Sequence, residues 1–355
     1  MTSNDIMEES VRTYTSKNEK EVRSVNIYDI AKLAGVSIAT VSRVVNDSPK
    51  VNDKTKEKVL RVMEENHYTP NVFARGLGLN SMKSVGLVCP DVSDNYMAKA
   101  VAYLEKNLRG YGYDCILYCS GYDEEDKRQA VELILKKRID ALVLIGSNYA
   151  DDRDENTSYI KEVAQQIPVF MINGFVEGEN IYCTLADDYQ AVYDVAEELI
   201  FSGKRRILFL SNSESFSAMQ KRKGYEDAHR NHGLPILEEL KLYTENSIHG
   251  ARNQLLLCRD LVFDGVIATE DGLAIGALKY AKARGISVPG ELSVVGYNNS
   301  ELSISCEPEL TTVDARGEIL CRSAIDSMMA LLSGEKIRQK TIIKCHLIKR
   351  HTTDF

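Results

Sequence analysis

YDIAKLAGVSIATVSRVVN, residues 28–46, sets apolar side chains at Ile30, Ala31, Leu33 and Ala34, breaks the helical spacing at Gly35-Val36-Ser37, and resumes it at Val41, Val44 and Val45. The spacing predicts two short helices joined by a glycine turn. Ser37 is placed to cap the second, because its hydroxyl can accept an amide hydrogen that the first helical turn leaves without a partner. A third helix is predicted from about Lys54 to Asn66, started by Asn52 or Asp53, with Val59, Leu60, Val62 and Met63 inward and His67 to Pro70 ending it. Residues 71–80 could add one short helix, but Gly76 and Gly78 each cost roughly 1 kcal/mol of helix propensity.

Charge divides the chain at the same place. The 355 residues carry 44 Lys plus Arg against 52 Asp plus Glu, a net charge of −8, which argues against a uniformly basic nucleic-acid coat protein. Residues 24–83 are nevertheless basic, +3, whereas residues 84–355 carry −10. A small basic module ahead of a large acidic one fits a chain whose one end meets a polyanion, although a solvated small domain gives the same balance. Residues 1–24 are polar and without period, and are read as a disordered tail lacking the apolar core of a signal peptide. No stretch approaches the roughly 18 apolar residues that span a bilayer, so an internal, cytoplasmic protein without membrane contact is expected. The eight cysteines form no CxxC pair and no zinc-spaced Cys/His cluster, so reduced thiols and no metal or other cofactor are expected.

Beyond Ser84 short β-branched runs alternate with helical periods. The runs include SVGLVCP (84–90), DCILYCS (114–120), DALVLIGS (140–147), IPVFMING (167–174), RILFLSN (206–212), DGVIAT (264–269) and LSVVGYN (292–298). Helical periods lie between them at Asp126 to Lys137, Tyr189 to Ser202 and Gly272 to Arg284. Continuously apolar strands alternating with helices imply parallel sheets covered on both faces, and the length suits two doubly wound halves. Ligands in such sheets bind beyond the carboxyl ends of the strands, where Asp91, Asn148, Asn173, Asn212, Asp271 and Asn298 sit.

The 28–46 stretch, followed by VNDKTKEKVLRVMEENHYTPNVFARGL (51–77), resembles the LacI/GalR family of transcription regulators. The resemblance runs from about Asn26 to the C-terminus and includes KGYEDA (223–228), TEDGLAIGAL (269–278), GISVPGELSVVGYNNSEL (285–302) and PELTTV (308–313). It implies a small all-α helix-turn-helix DNA-binding domain plus an α/β periplasmic-binding-protein-like core of two doubly wound parallel-sheet lobes. The organisation it implies is a tail at 1–24, the helix-turn-helix at 25–69, a hinge helix or linker at 70–83 and an effector-binding and dimerisation core at 84–355. Within the core, the N-lobe takes about 84–185 and 314–338, and the C-lobe about 186–313 and 339–355.

At the DNA end the resemblance implies that Ile38, Ala39 and Arg43 face base edges in the major groove. Arg43 can donate two hydrogen bonds to guanine, while Ile38 and Ala39 offer apolar contact, for instance to a thymine methyl. Tyr28, Ser37, Thr40, Ser42, Asn46, Asn52 and Thr55 match positions that touch phosphates and so fix register. Packing for Ile38, and plain capping and solvation for the serines and threonines, stay open as readings. TPNVFARGL resembles the family's hinge helix, in which Leu77 wedges between base pairs in the minor groove with Asn71 and Ala74 on the same face; a plain flexible linker is the other reading. Gly78 lacks the side chain that in the family reaches along the groove.

At the effector end Asp271 matches a carboxylate that accepts hydrogen bonds from ligand hydroxyls, and a helix N-cap is its structural alternative. Lys221 stands where the family has arginine, a point charge in place of a bidentate fork. Members with lysine there respond to a phosphorylated partner protein, which leaves a protein co-regulator open beside a sugar-like effector. Asn173 and the Asn298-Asn299 pair replace aspartates, each removing a charge, so a less hydroxyl-rich or more anionic ligand is expected. Tyr96 can stack on a sugar face or serve as a core or rim tyrosine.

The reading is thus a homodimeric repressor of a near-palindromic double-stranded DNA operator, controlled by a small molecule. The lack of a leucine-heptad segment after His351 favours a dimer over a tetramer. An enzyme is disfavoured, since no GxGxxG follows a strand and no GxxxxGK[ST], GxSxG or HExxH occurs. An intracellular ligand-binding protein, the other rival, leaves residues 28–77 without a purpose.

Overall fold

The computed structural model describes residues 25–46, 48–68, 81–150 and 154–355. They fall into two compact units that divide between Met82 and Lys83. The predicted tail at 1–24 and the hinge positions Asn71, Ala74 and Leu77 lie outside the described residues.

The first unit holds three helices, α1 (Ile27–Ala34), α2 (Ile38–Val45) and α3 (Asp53–Glu65). Each begins where a short polar side chain takes up an orphaned amide. Asn26 and Asp29 form a reciprocal capping box on α1, with Asp29 N donating to Asn26 Oδ1 at 3.2 Å and Asn26 N to Asp29 Oδ2 at 3.0 Å. Thr40 N donates to Ser37 Oγ at 3.1 Å at the head of α2, and Thr55 N to Asn52 Oδ1 at 2.9 Å at the head of α3. Gly35 ends α1 at a φ of +63°, a left-handed conformation that glycine adopts without Cβ strain. The buried core is Ile30, Ala31, Ala34, Val41, Val44, Val59 and Met63. Leu60, expected inward, is exposed instead, because Val59 and Met63, four residues apart, already fill the inner face of α3.

The second unit has two lobes. The chain first builds β1 (Ser84–Cys89), α4 (Asn95–Gly110), β2 (Asp114–Cys119), α5 (Glu124–Leu135), β3 (Ala141–Ile145), α6 (Asp154–Ala164), β4 (Val169–Ile172) and β5 (Ile181–Ala186). It then crosses to α7 (Asp188–Phe201), β6 (Ile207–Ser211), α8 (Phe216–Asn231), β7 (Lys241–Tyr243), α9 (Ile248–Leu257), β8 (Gly265–Ala268), α10 (Asp271–Arg284), β9 (Ser293–Tyr297), α11 (Glu301–Ser305) and β10 (Thr311–Asp314). A second crossing leads to α12 (Gly317–Leu332) and β11 (Lys340–Ile343), and a third to β12 (His346–Ile348). The sheet orders are β11-β5-β4-β3-β1-β2 and β12-β10-β9-β8-β6-β7. All pairings are parallel except β10 with β12.

One boundary moves. Lys340–Ile343 pairs with β5, Lys340 opposite Cys183 and Ile343 opposite Ala186, so it belongs to the first lobe rather than the second. The third crossing therefore lies at Lys344 and Cys345, not at 338/339. β11 is an edge strand with Ile342 exposed, so its sequence carries no apolar run to announce which sheet it joins.

Close approaches explain two of the glycines in the quoted motifs. A Cβ on Gly224 would stand 2.3 Å from the carbonyl oxygen of Tyr189, so glycine is what lets α8 lie on α7. A Cβ on Gly296 would stand 2.4 Å from Asp271 Oδ1. A continuous apolar core joins the lobes, running from Leu104 and Phe170 through Leu320 and Met328 of α12 to Ile207, Tyr225 and Val295.

Candidate functional site

Two surfaces concentrate the candidate residues, one in each unit. In the first, α2 turns Ile38, Ala39 and Arg43 to solvent, while Val41 and Val44 face the core. Ile38 is 40% exposed, so it is not a core residue of this unit. Ala39 and Arg43 stand four residues apart, as do Ile38 and Ser42, which puts each pair on one stripe of the helix. Tyr28 is 68% exposed beside them in sequence, on α1. Ser37 and Asn52 spend acceptor lone pairs on capping, and Ser37 Oγ lies 2.9 Å from Thr40 Oγ1. Capping uses an acceptor and does not consume every donor: one hydroxyl proton of that pair, and the Asn52 amide hydrogens, stay available to a phosphate. Asn46 closes α2, with its Oδ1 buried and without a donor among the described residues.

In the second unit, the loops at the carboxyl ends of both sheets enclose a cleft between the lobes. It comprises a cavity of 800 Å³ and one of 630 Å³ that share Asp94, Asn95, Tyr96, Asn246, Glu270 and Asn298. Asp91, Tyr96, Asn148, Asn173, Lys221 and Asn298 line the larger cavity, and Asp271 lines the smaller.

Several of these side chains are already engaged. Asp91 accepts from Ser93 N at 2.8 Å and Ser93 Oγ at 2.9 Å, which holds its carboxyl below the usual range. At Asn148 it is the backbone carbonyl, not the side chain, that accepts from Lys127 Nζ, at 2.7 Å. Asn173, at a φ of +63°, accepts from Ala186 N at 3.0 Å and so braces the end of β5 just before the first crossing. Lys221 is 4% exposed; its ammonium lies 3.6 Å from the centre of the Tyr297 ring and donates to Thr269 O at 3.3 Å.

Asp271 is the most enclosed of them, 2% exposed. Its Oδ2 accepts from Ser300 N at 2.6 Å and Ser300 Oγ at 2.8 Å, and its Oδ1 accepts from Thr312 Oγ1 at 2.5 Å. Burial raises its pKa, against the pull of those hydrogen bonds and of Arg350. The carboxylate has spent three of its roughly four acceptor sites inside the protein. It does not cap α10, whose N-cap is Glu270.

Glu270 is the residue that sequence reasoning passed over. It lines both cavities, and its Oε2 accepts from Asn298 Nδ2 at 2.5 Å. Burial pushes its carboxyl up to about 7, with Lys221 opposing and Asp94 and Asp271 adding to the rise. The signal was present as two adjacent acids after a strand, Thr269-Glu270-Asp271, but a one-residue step does not reveal which acid faces the cleft. Tyr96 approaches from the other lobe, and its hydroxyl is buried with no hydrogen-bond partner among the described residues. Among the described residues the larger cavity is lined by four carboxyl groups, Asp91, Asp94, Glu214 and Glu270, and by Lys221, and the smaller adds Lys99 and Arg316. Acidic side chains thus outnumber basic ones around the cleft among the described residues, while the ligand expected from the asparagines at 173 and 298 was a less hydroxyl-rich or more anionic one.

A family model described as bacterial regulatory proteins, lacI family, matches residues 26–71, and another, periplasmic binding proteins and sugar binding domain of LacI family, matches residues 82–351. The chain belongs to the LacI family. An HTH-type transcriptional regulator of Lachnoclostridium phytofermentans is 48% identical over 333 residues, covering 93% of this chain and 100% of the relative. The HTH-type transcriptional regulator GalR of Escherichia coli is 32% identical over 332 residues, covering 92% and 95%. The crystal structure of the lac repressor dimer bound to operator and the anti-inducer ONPF shares the fold, with a TM-score of 0.84 at 24% identity over 93% of this chain and 99% of that one. This LacI-family member is thus a DNA-binding transcriptional regulator with an effector-binding domain, and its relatives are regulators rather than enzymes. Among the described residues no helix is long and apolar enough to cross a membrane.

Proposed function

We propose that this LacI-family regulator is a cytoplasmic homodimeric repressor that binds a near-palindromic operator and is switched by a sugar or sugar derivative held between its lobes. Arg43 reads a guanine, Ile38 and Ala39 make apolar base contacts, and Tyr28, Ser37, Thr40, Ser42, Asn46, Asn52 and Thr55 meet phosphates. Asn71, Ala74 and Leu77 supply the minor-groove contacts, with Leu77 as the wedge. Ligand binding alters the lobe angle through the three crossings, and the ligand's differential affinity for two lobe arrangements sets operator affinity. The observation that carries this reading is the exposed Ile38–Ala39–Arg43 surface of a capped second helix in a chain that also has a polar interlobe cleft. Lys221, the residue that left a protein co-regulator open, is buried against Tyr297, so it speaks for the cleft rather than for a docking surface.

The test is operator binding by the Arg43→Ala protein. Losing one bidentate guanine contact is expected to weaken specific binding by about 1–3 kcal/mol and to relax preference at one base pair, with random-sequence binding reduced far less. Equal losses on operator and random DNA would remove Arg43 from base readout.

A further inference from the structure

Cysteine packs as a small apolar side chain wherever nothing makes it react, and Cys89, Cys183, Cys321 and Cys345 are buried in this way. Cys119 is different: it is exposed, on β2, the edge strand of the first sheet. It also has a second thiol beside it. The parallel pairing of β1 with β2 sets Cys89 opposite Cys119 as the last register pair of the ladder. Neighbouring strands lie about 4.8 Å apart, inside the roughly 4.4–6.8 Å between Cα atoms that a disulfide accepts.

Both side chains leave the sheet on one face. Val85, Leu87 and Cys89 enter one core cluster and Cys115 packs against it, whereas Val88, Ile116 and Tyr118 belong to the core on the other side. Cys119, four residues after Cys115 on a strand of period two, therefore shares the face of Cys89. Burial, and next the Cys119 thiol itself, push Cys89 up to about 12, with Asp91 and Asp94 acting in the same direction. At neutral pH Cys89 is thus a protonated, shielded thiol, while Cys119 is the one that solvent reaches. A reachable thiol with a second poised next to it is the arrangement in which oxidation is reversible, because the second captures the oxidised sulfur before it is oxidised further.

We infer that Cys89 and Cys119 form a redox-sensitive dithiol, in which Cys119 takes the oxidant and Cys89 resolves it as a disulfide joining the ends of β1 and β2. With hydrogen peroxide, the Cys119 thiolate attacks one oxygen, the O–O bond breaks, hydroxide leaves and a sulfenic acid remains. The Cys89 sulfur then attacks the Cys119 sulfur; the S–S bond forms, the S–O bond breaks, and the Cys89 proton leaves with the hydroxyl as water. Two thiols are oxidised and one peroxide is reduced to two waters. The bond forms at the rim of the cleft. Ser120 N already donates to Cys89 O and Gly121 N to Pro90 O, each at 2.9 Å. Asp91 and Tyr122, which line the larger cavity, follow the two cysteines by two and three residues.

The test treats the reduced full chain with hydrogen peroxide, alkylates the remaining thiols with N-ethylmaleimide under denaturing conditions, and reads intact mass and a peptide map. Two of the eight thiols are expected to escape alkylation in a product that holds a Cys89–Cys119 linked peptide, runs as a monomer on a non-reducing gel and reverts with dithiothreitol. Cys119→Ser is expected to leave Cys89 fully alkylated after the same treatment. Cys89→Ala is expected to strand Cys119 as a sulfenic acid, giving a dimedone signal at least about tenfold stronger than wild type. The wild-type map decides the pairing whether or not the buried change at Cys89 is tolerated. A linked peptide that pairs other cysteines overturns the inference, as does a wild-type product that runs as a disulfide-linked dimer. Equal dimedone signals in wild type and Cys89→Ala overturn the resolving role of Cys89, and eight thiols still alkylated after peroxide overturn the site altogether.

Discussion

Replacing Glu270 by Gln should make the unliganded protein more stable, and the gain should depend on pH in one direction. Unfolded, this carboxyl titrates near its ordinary 4.5; folded, burial and the neighbouring Asp94 and Asp271 raise it to about 7 in spite of Lys221 and Asn298. The folded state therefore holds the proton more tightly, so the residue favours folding below pH 4.5 relative to its ionised form, and that advantage is lost as pH rises from 4.5 through 7. Above 7 the ionised, buried carboxylate costs the whole difference of about 2.5 pH units, roughly 3 kcal/mol at pH 8 against about 1 kcal/mol at pH 5. The half-buried position makes these upper values. Glutamine cannot ionise and can still accept from Asn298, so the variant escapes the cost. Thermal unfolding of wild type and Glu270→Gln at pH 5, 6, 7 and 8 reads the effect: a rise in melting temperature of about 6 °C at pH 8, shrinking to about 2 °C at pH 5, is expected. A gain that does not change with pH, or a loss at pH 8, refutes the argument, because it shows an ionised Glu270 fully compensated by Lys221. A residue kept at a cost to stability where it lines a cleft is the pattern of a functional site.

The remaining predictions concern the groups that hold the two acids. Gly296→Ala places a methyl 2.4 Å from Asp271 Oδ1 and 2.7 Å from Leu310 Cδ2, and is expected to destabilise the protein by about 2 kcal/mol or more in urea unfolding; a change under about 0.5 kcal/mol shows that Asp271 has room to move. Asn298→Asp sets a second carboxylate at hydrogen-bond distance from Glu270 and is expected to cost about 2 kcal/mol or more at pH 8. Adding Glu270→Gln to it exchanges donor and acceptor and should restore most of the loss, whereas strictly additive effects of the two substitutions would disprove a direct contact.

Legibility followed burial. The helix-turn-helix was readable almost to the residue because its determinants are local: Asn26, Ser37 and Asn52 cap their own helices, and Gly35 ends one. Six of the seven apolar runs were readable because strands buried on both faces are apolar throughout; the seventh, β2, is a half-exposed edge strand whose run is apolar all the same. The pieces that escaped lie at edges or carry polar side chains inward. β11 and β12 are short and partly exposed, and β7 is three residues long. In β10, Thr311 and Thr312 are fully buried yet read as polar; Thr312 is engaged by Asp271, and Thr311 by Thr353 and by Arg350 N, long-range contacts that no local pattern encodes.

The cleft shows the same division. Strand-end polar residues pointed to the loops that line the cleft, since topology alone gathers those loops there. The asparagine at 298, read by itself, signals a lost negative charge and hence a ligand richer in charge of that sign. Beside Glu270 it means the opposite, because two carboxylates at that separation could not both ionise, and an amide at 298 is what permits a glutamate at 270. A carboxyl group stands instead at the N-cap of α10, where it lines both cavities. What the head of α10 presents to the cleft is therefore read from the residue pair, not from either residue alone.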